Sequence, residues 1–346
     1  MSLPGVALSA DQSDIVGLVD AVVAHEGAPT ADTSTDSASP PRAAVVRAGL
    51  WSMAVPEPQG GGGAAVELYL VALAQLGRSW PALAWAMAQT HAAASLLSVD
   101  TSHASVLAEV VSGNASACVV DTAAEHVTIS KADEHRLVGS VARIDPCGEN
   151  VHVLLVEQQR YWLLAPAALQ ISPPLARTGF AGARTASVAI NGTIGADAWP
   201  IACDESSTVL AQLRTSGAAV AAGLAHEAAH QSTSYAQQRV QFGAPLVALP
   251  TVRQSLLRQL GAAASSLAAT LAADSSDSRL AAAILDENCE RAIEVAAAAV
   301  QSLGGYGYLA EYGVERLLRD AISLRAATAA AAGARSVSLS FAGSAQ

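Results

Sequence analysis

The sequence predicts a mostly helical chain with a β-domain in its middle. Three observations lead there. Hydrophobic residues fill 51% of the 346 positions and charged residues only 14%. Much of that apolar share is alanine, the best helix former and one that lets helices approach closely. Short Val/Ile/Leu-rich runs, several alternating apolar with polar, fall between residues 116 and 190, and apolar positions at helical spacing fill the chain on either side. The chain divides accordingly into an N-terminal helical domain (1–115), a middle β-domain of barrel or sandwich type (116–203) and a C-terminal four-helix bundle (204–346). Its length suits several packed layers.

Along the chain, Ile15, Val16, Leu18, Val19, Val22 and Val23 give a first helix. The stretch from Gly27 to Pro41, rich in Ser, Thr, Asp and Pro, reads as a solvated loop. Helical spacing resumes at Arg42–Leu50. It returns after the turn from Pro56 to Gly63, through Leu68, Leu70, Leu73 and Leu76, and again from Trp80 to Leu97. Strands are expected at Ser116–Thr122, Val127–Ala132, Leu137–Ile144, Val151–Gln158, Tyr161–Ala165 and Ala186–Ile190. Four helical segments follow, within Ser206–Ser234, Thr251–Asp274, Ser278–Leu303 and Val314–Ser338. Asp204 or Ser206 is placed to cap the first, and Gly304-Gly305 to stop the third.

Composition excludes several functions. A net charge of -11 makes the chain a poor partner for nucleic acid, whose phosphates need clustered Lys and Arg. Cys118, Cys147, Cys203 and Cys289 lack the spacing of a zinc site or a disulfide framework, so reduced thiols in a cytoplasmic protein are expected. No alanine-rich run reads as a membrane span, and the N-terminus lacks a basic region followed by an apolar core. His226 and His230 lie one helical turn apart. With no third ligand indicated, a solvated or interface pair is expected rather than a metal site. Trp80 and Trp85 read as core or interface anchors.

Three motifs carry more. Gly49-Leu50 leads through Val55-Pro56-Glu57 into the glycine run Gly60 to Gly63. Tyr235, Arg239, Phe242-Gly243 and Pro245-Leu246 stand at the spacing Y-x-x-x-R-x-x-F-G-x-P-L. Gln301-Ser302-Leu303-Gly304-Gly305-Tyr306-Gly307-Tyr308 continues to Glu311-Tyr312 and to Glu315-Arg316-Leu317-Leu318-Arg319-Asp320-Ala321. In this order the motifs resemble the acyl-CoA dehydrogenase family over nearly the whole chain, and Thr178-Gly179-Phe180 resembles the end of that family's β-domain. The resemblance implies α,β-dehydrogenation of an acyl-CoA thioester, with FAD bound across a subunit interface. Arg239 would then fork onto pyrophosphate oxygens of a neighbour's cofactor. Phe242 would supply an apolar face, and Gln301, Gly304 and Gly305 would meet the adenosine side. Pro250 replaces a glutamine the family often has, and Arg316, Arg319 and Asp320 read as an ion-paired helix start.

The family's chemistry needs a carboxylate to remove the α-proton of the thioester, a contribution of about 10²- to 10⁴-fold for a positioned base. The family places that Glu in one of two positions. They correspond here to Thr328, nine residues beyond Arg319, and to Leu213, just before Arg214. Neither accepts a proton at neutral pH. Ala211 replaces an Asp that often holds the pantetheine arm, and Arg214 then reads as a structural or interface residue. The flavin-side segment T-E-P-x-x-G-S-D corresponds to Val120–His126, where Thr122 keeps a hydroxyl, and W-I-T-N to Ala142–Asp145. What is lost lies on the ring-binding side. What is kept serves a neighbour's cofactor.

The resemblance thus implies a non-catalytic subunit completing the FAD site of a catalytic paralogue, as in α2β2 assemblies that degrade steroid side chains, with acyl-CoA bound mainly by the partner. The alternative is a homomeric flavin enzyme of the same fold, either monooxygenase-type or with a displaced base. A binding protein with no flavin role is the third reading.

Overall fold

The computed structural model describes residues 6–27, 39–124, 127–157, 160–202, 206–274 and 276–343. Asp204, Cys203, His126 and Gln158, named above, lie outside them, as does most of the expected loop after Gly27. The N-terminal part holds α1 (Ala10–Glu26), α2 (Ser39–Arg47), α3 (Val66–Gly77), α4 (Pro81–Leu97) and α5 (Ala104–Val111). Ser9 and Gln12 cap α1 reciprocally. Helix α2 starts inside the stretch expected to be loop, because prolines in a helix's first turn leave no intrahelical hydrogen bond unmade. Helix α5 adds to the expected elements; its 8 residues are too few for a clear periodicity.

The β-domain has two four-stranded sheets, ordered β1-β4-β5-β8 and β2-β3-β7-β6. They are formed by β1 (Ser116–Asp121), β2 (Val127–Asp133), β3 (Arg136–Ile144), β4 (Val151–Glu157), β5 (Arg160–Leu164), β6 (Leu169–Ile171), β7 (Ala186–Thr193) and β8 (Ala198–Ala202). Alternation assigns each side chain to a layer. Cys118, Val153, Leu155 and Trp162 face Val141, Val188 and Ile190 across the sandwich. Ala117, Val119, Leu154 and Leu163, on the other face of the first sheet, join the core of the helices. Buried on both faces, β4 is therefore apolar from Val151 to Val156 at every position but His152.

The C-terminal part holds α6 (Ser206–Gln238), α7 (Pro250–Ala272), α8 (Ser278–Leu303), α9 (Val314–Ala327) and α10 (Ala330–Gly343). The fourth expected segment is thus two helices, broken where Ala329 takes φ 49°. Helix α6 packs against α3, α4, α7, α8 and α9, so both helical parts share one core. Its small residues explain the close approach. A Cβ on Gly223 would stand 2.0 Å from the Ala74 carbonyl oxygen of α3. Trp80 and Trp85 are buried in the same core.

His226 is 1% exposed rather than solvated, and neither ring nitrogen has a hydrogen-bond partner. Burial, with the Arg78 charge nearby, lowers its pKa to about 4. Burial lowers that of His91 to about 4 as well, which the Trp51 backbone offsets only in part. Both rings are neutral in the fold. Their contribution to stability is complete above the ordinary value of about 6.5 and is lost as pH falls toward 4. We expect a loss of about 1–2 kcal/mol for each histidine by pH 5. Urea unfolding across this pH range measures it. His226→Leu should flatten the slope; an unchanged slope would clear His226 of the effect.

Candidate functional site

The two positions where a base is expected come together. Leu213 of α6 and Thr328, just after α9, line one cavity of about 50 Å³ with Trp85, Gln89, Asp121 and Arg214. Ligand sites for drug-sized molecules run to about 300–1,000 Å³. An ion pair belongs to its wall, with Arg214 Nη2 3.1 Å from Asp121 Oδ2. The other Asp121 oxygen accepts the Ala123 N–H at 2.9 Å, and Arg214 Nη1 donates to Ser278 Oγ at 2.9 Å. Burial lowers the Arg214 pKa, and Asp121 partly restores it. The remaining hydroxyls are committed to backbone. Thr328 Oγ1 donates to the Leu324 carbonyl at 3.0 Å, and Thr122 Oγ1 to that of Val156 at 2.9 Å. Ala211 is fully buried. Arg214 is held in this ion pair, with Asp121 as the partner that the sequence reading missed.

Ala142–Asp145, the segment matched to the family's flavin-ring strand, forms a buried ionic knot. Asp145 is 4% exposed. It accepts from Arg143 Nε at 2.7 Å, from Arg177 Nη1 at 2.6 Å and from the Thr185 hydroxyl. Arg143 also donates to the Ser323 carbonyl of α9 at 3.0 Å, tying the β-domain to the bundle. A flavin ring laid here would leave Asp145 or its arginines unpaired in a desolvated place. These residues do not fit the cofactor's ring.

The third motif's end and Thr178-Gly179-Phe180 meet each other. Asp320 accepts the Phe180 N–H and pairs with Arg316 at 3.2 Å, while Arg319 pairs with Glu315. A Cβ on Gly179 would stand 2.5 Å from the Arg319 carbonyl carbon. This part of the resemblance builds the joint between domains, and the arginines form the ion-paired helix start expected of them. Burial raises the Asp320 pKa, opposed by Arg316.

The residues assigned to a neighbour's cofactor face outward. Arg239 follows the last residue of α6, and its guanidinium stands 5.3 Å from the Tyr306 ring centroid. No carboxylate pairs with it among the described residues. Tyr235, Tyr306 and Tyr312 cluster beside it with centroids 5.2–6.5 Å apart. Tyr306 closes the Gly304–Tyr306 turn, and the Gly304 N–H donates to the Gln301 carbonyl at the end of α8. Gln301, Gly304 and Gly305 are exposed, and a Cβ at either glycine would meet only open space. An unpaired guanidinium beside an accessible glycine turn fits a phosphate-bearing group. Sequence reading assigned these residues, and the structure brings Arg239 and the glycine turn together through Tyr306, which it had not singled out for a role.

Phe242 and Gly243 form the two-residue tip between β9 (Val240–Gln241) and β10 (Ala244–Pro245). Both have positive φ, 54° and 81°, as a type I′ turn requires. Phenylalanine pays for this conformation, and its side chain is 91% exposed. Such strain is a feature of functional positions. Phe242→Asn should stabilise the isolated chain by about 1 kcal/mol; urea unfolding would test this, and a destabilised variant would count against the strain.

Comparison with known proteins follows the same division. Residues 9–113 match the family model described as acyl-CoA dehydrogenase, N-terminal domain, and residues 205–330 the one described as acyl-CoA dehydrogenase, C-terminal domain. The chain belongs to the acyl-CoA dehydrogenase family. A protein of Bacillus subtilis (strain 168) named acyl-CoA dehydrogenase is 37% identical over 117 residues, 30% of this chain and 29% of that protein. The cyclohex-1-ene-1-carbonyl-CoA dehydrogenase of Geobacter metallireducens (strain ATCC 53774 / DSM 7210 / GS-15) is 38% identical over 119 residues, again 30% and 29%. These matches thus span under a third of the relatives' length. Butyryl-CoA dehydrogenase from Megasphaera elsdenii shares the fold with a TM-score of 0.76 at 18% identity, covering 96% of this chain and 99% of that one. The glutaryl-CoA dehydrogenase of Mycobacterium smegmatis, solved in complex with FADH2, gives 0.79 at 16% identity, covering 97% and 95%. Acyl-CoA dehydrogenases are flavin-dependent enzymes that oxidise CH–CH bonds. Among the described residues no helix is long and apolar enough to cross a membrane.

Proposed function

We propose that this chain is the non-catalytic subunit of a heteromeric acyl-CoA dehydrogenase and completes the FAD site of a catalytic paralogue. One observation carries the reading. Both positions open to the family's base, Leu213 and Thr328, line a single cavity of about 50 Å³ whose wall carries the Arg214–Asp121 pair and no carboxylate free of structural hydrogen bonds among the lining residues Asp121 and Asp145. The outward arrangement of Arg239 with the Gly304–Gly305 turn supports the second half of the reading, a grip on the nucleotide end of a cofactor whose ring and acyl-CoA substrate sit in the partner. An α2β2 assembly in the cytoplasm accommodates this reading.

The homomeric alternative has one candidate base, since Asp121 is a carboxylate on the cavity wall. Both of its oxygens already accept structural hydrogen bonds. The test is to produce the chain alone and together with a full-length paralogue that carries the Glu. Flavin absorbance, subunit ratio and acyl-CoA oxidation are then measured. Little flavin alone, and flavin plus activity in a stoichiometric complex, is the expected result. A flavin-loaded isolated chain that oxidises acyl-CoA, and loses that activity in Asp121→Asn, would overturn it.

A further inference from the structure

A second cavity, of about 220 Å³, lies between α3, α4, α6 and the loop Ala54–Pro56. Its walls are mostly apolar, with Val55, Leu70, Ala88 and Ala92 among them. Leu213 is the one residue lining both this cavity and the small one described above. Three polar side chains stand out. Tyr69 is 5% exposed, and its hydroxyl, beside Ser216, makes no hydrogen bond of ordinary geometry. Ser216 donates its own proton to the Gln212 carbonyl at 2.8 Å. The Tyr69 and His91 rings lie 4.1 Å apart, and the buried Nε2 of His91 has no hydrogen-bond partner. Buried polar atoms are nearly always satisfied, so two unsatisfied ones on the walls of one cavity ask for an occupant. An apolar cavity of about 150 Å³ takes up benzene, and this one is larger. Exposed Pro56 and Val66 and half-buried Ser95 form its rim, which gives a path in.

We infer that this cavity binds a small neutral ring compound bearing one hydroxyl group, its ring among the alanines and leucines and its hydroxyl between Tyr69 and His91. Burial keeps the His91 ring neutral and raises the Tyr69 pKa. A charged ligand would find no counter-ion among the lining residues, whereas a hydroxyl can donate to one of these groups and accept from the other. The inference does not depend on the heteromeric reading, because Tyr69 and His91 lie in neither the ring-side network nor the outward nucleotide grip.

The test is ¹⁹F NMR on the full chain with 4-fluorophenol as probe and fluorobenzene as its apolar counterpart. Saturable binding of 4-fluorophenol is expected, with weaker binding of fluorobenzene. Tyr69→Phe and His91→Phe should each weaken 4-fluorophenol by about three- to tenfold, the effect of one hydrogen bond, and leave fluorobenzene unchanged. Ser95→Leu closes the rim without touching either polar group and should abolish both signals, which keeps the site testable if a core variant fails to fold. Absence of 4-fluorophenol binding would overturn the inference. So would equal binding of the two probes that ignores all three substitutions.

Discussion

Asp145→Ala is expected to lower the unfolding free energy of the chain by about 3–5 kcal/mol, the usual result of breaking a buried ion pair from one side. The carboxylate gathers Arg143, Arg177 and Thr185 around it at a place where burial already lowers the Arg177 pKa. Removing it leaves two half-desolvated guanidinium groups without a counter-charge. It also frees Arg143 from the geometry that ties it to Ser323 of α9. Urea unfolding of the isolated chain measures the effect. Asp145→Asn should fall between the wild type and the alanine variant, because the amide oxygen still accepts hydrogen bonds. A loss below about 1 kcal/mol would place the knot among surface ion pairs, whose worth is small.

Arg239→Ala is expected to weaken FAD binding by the assembled complex by about 10- to 150-fold, corresponding to about 1.5–3 kcal/mol for a hydrogen bond to a charged group. The isolated chain should keep its stability, since this guanidinium rests on a tyrosine ring rather than in a buried pair. Arg239→Lys should recover only part of the affinity, because a lysine keeps the charge and loses the two-pronged geometry that matches a pyrophosphate. Flavin retained after gel filtration of the complex gives the readout. Retention equal to the wild type would remove this residue from the cofactor's surroundings and with it the main support for a shared site.

The helices were legible where their apolar positions repeat, as at Leu68, Leu70, Leu73 and Leu76 of α3. Strand β8 was not, because Pro200 within it reads as a breaker; its place at the edge of the sheet, beside β5, is what makes a proline tolerable there. That Thr328 and Leu213 occupy the two positions corresponding to the family's base was legible by counting along the motifs. The ion pair that lines the same cavity was not. Asp121 and Arg214 are 93 positions apart, and Phe180 and Asp320 140 apart. Which sheet face meets which helix face decides such pairs, and no local spacing records it. Arg177 and Thr185 stayed unremarked for the same reason. His226 misled because one-turn spacing marks a helix face without saying whether water or alanine lies against it.

Helix α6 runs unbroken from Ser206 to Gln238. With a rise of about 1.5 Å per residue, the 24 steps from Arg214 to its last residue span about 36 Å. The small cavity lined by Leu213 and Arg214 sits near one end of this rod, and Arg239 follows the other. Under the proposed reading, substitutions at the first end lie too far from the second to couple with it directly. On that reading the two tips of one helix carry separate duties, and changes at one leave the other's geometry intact.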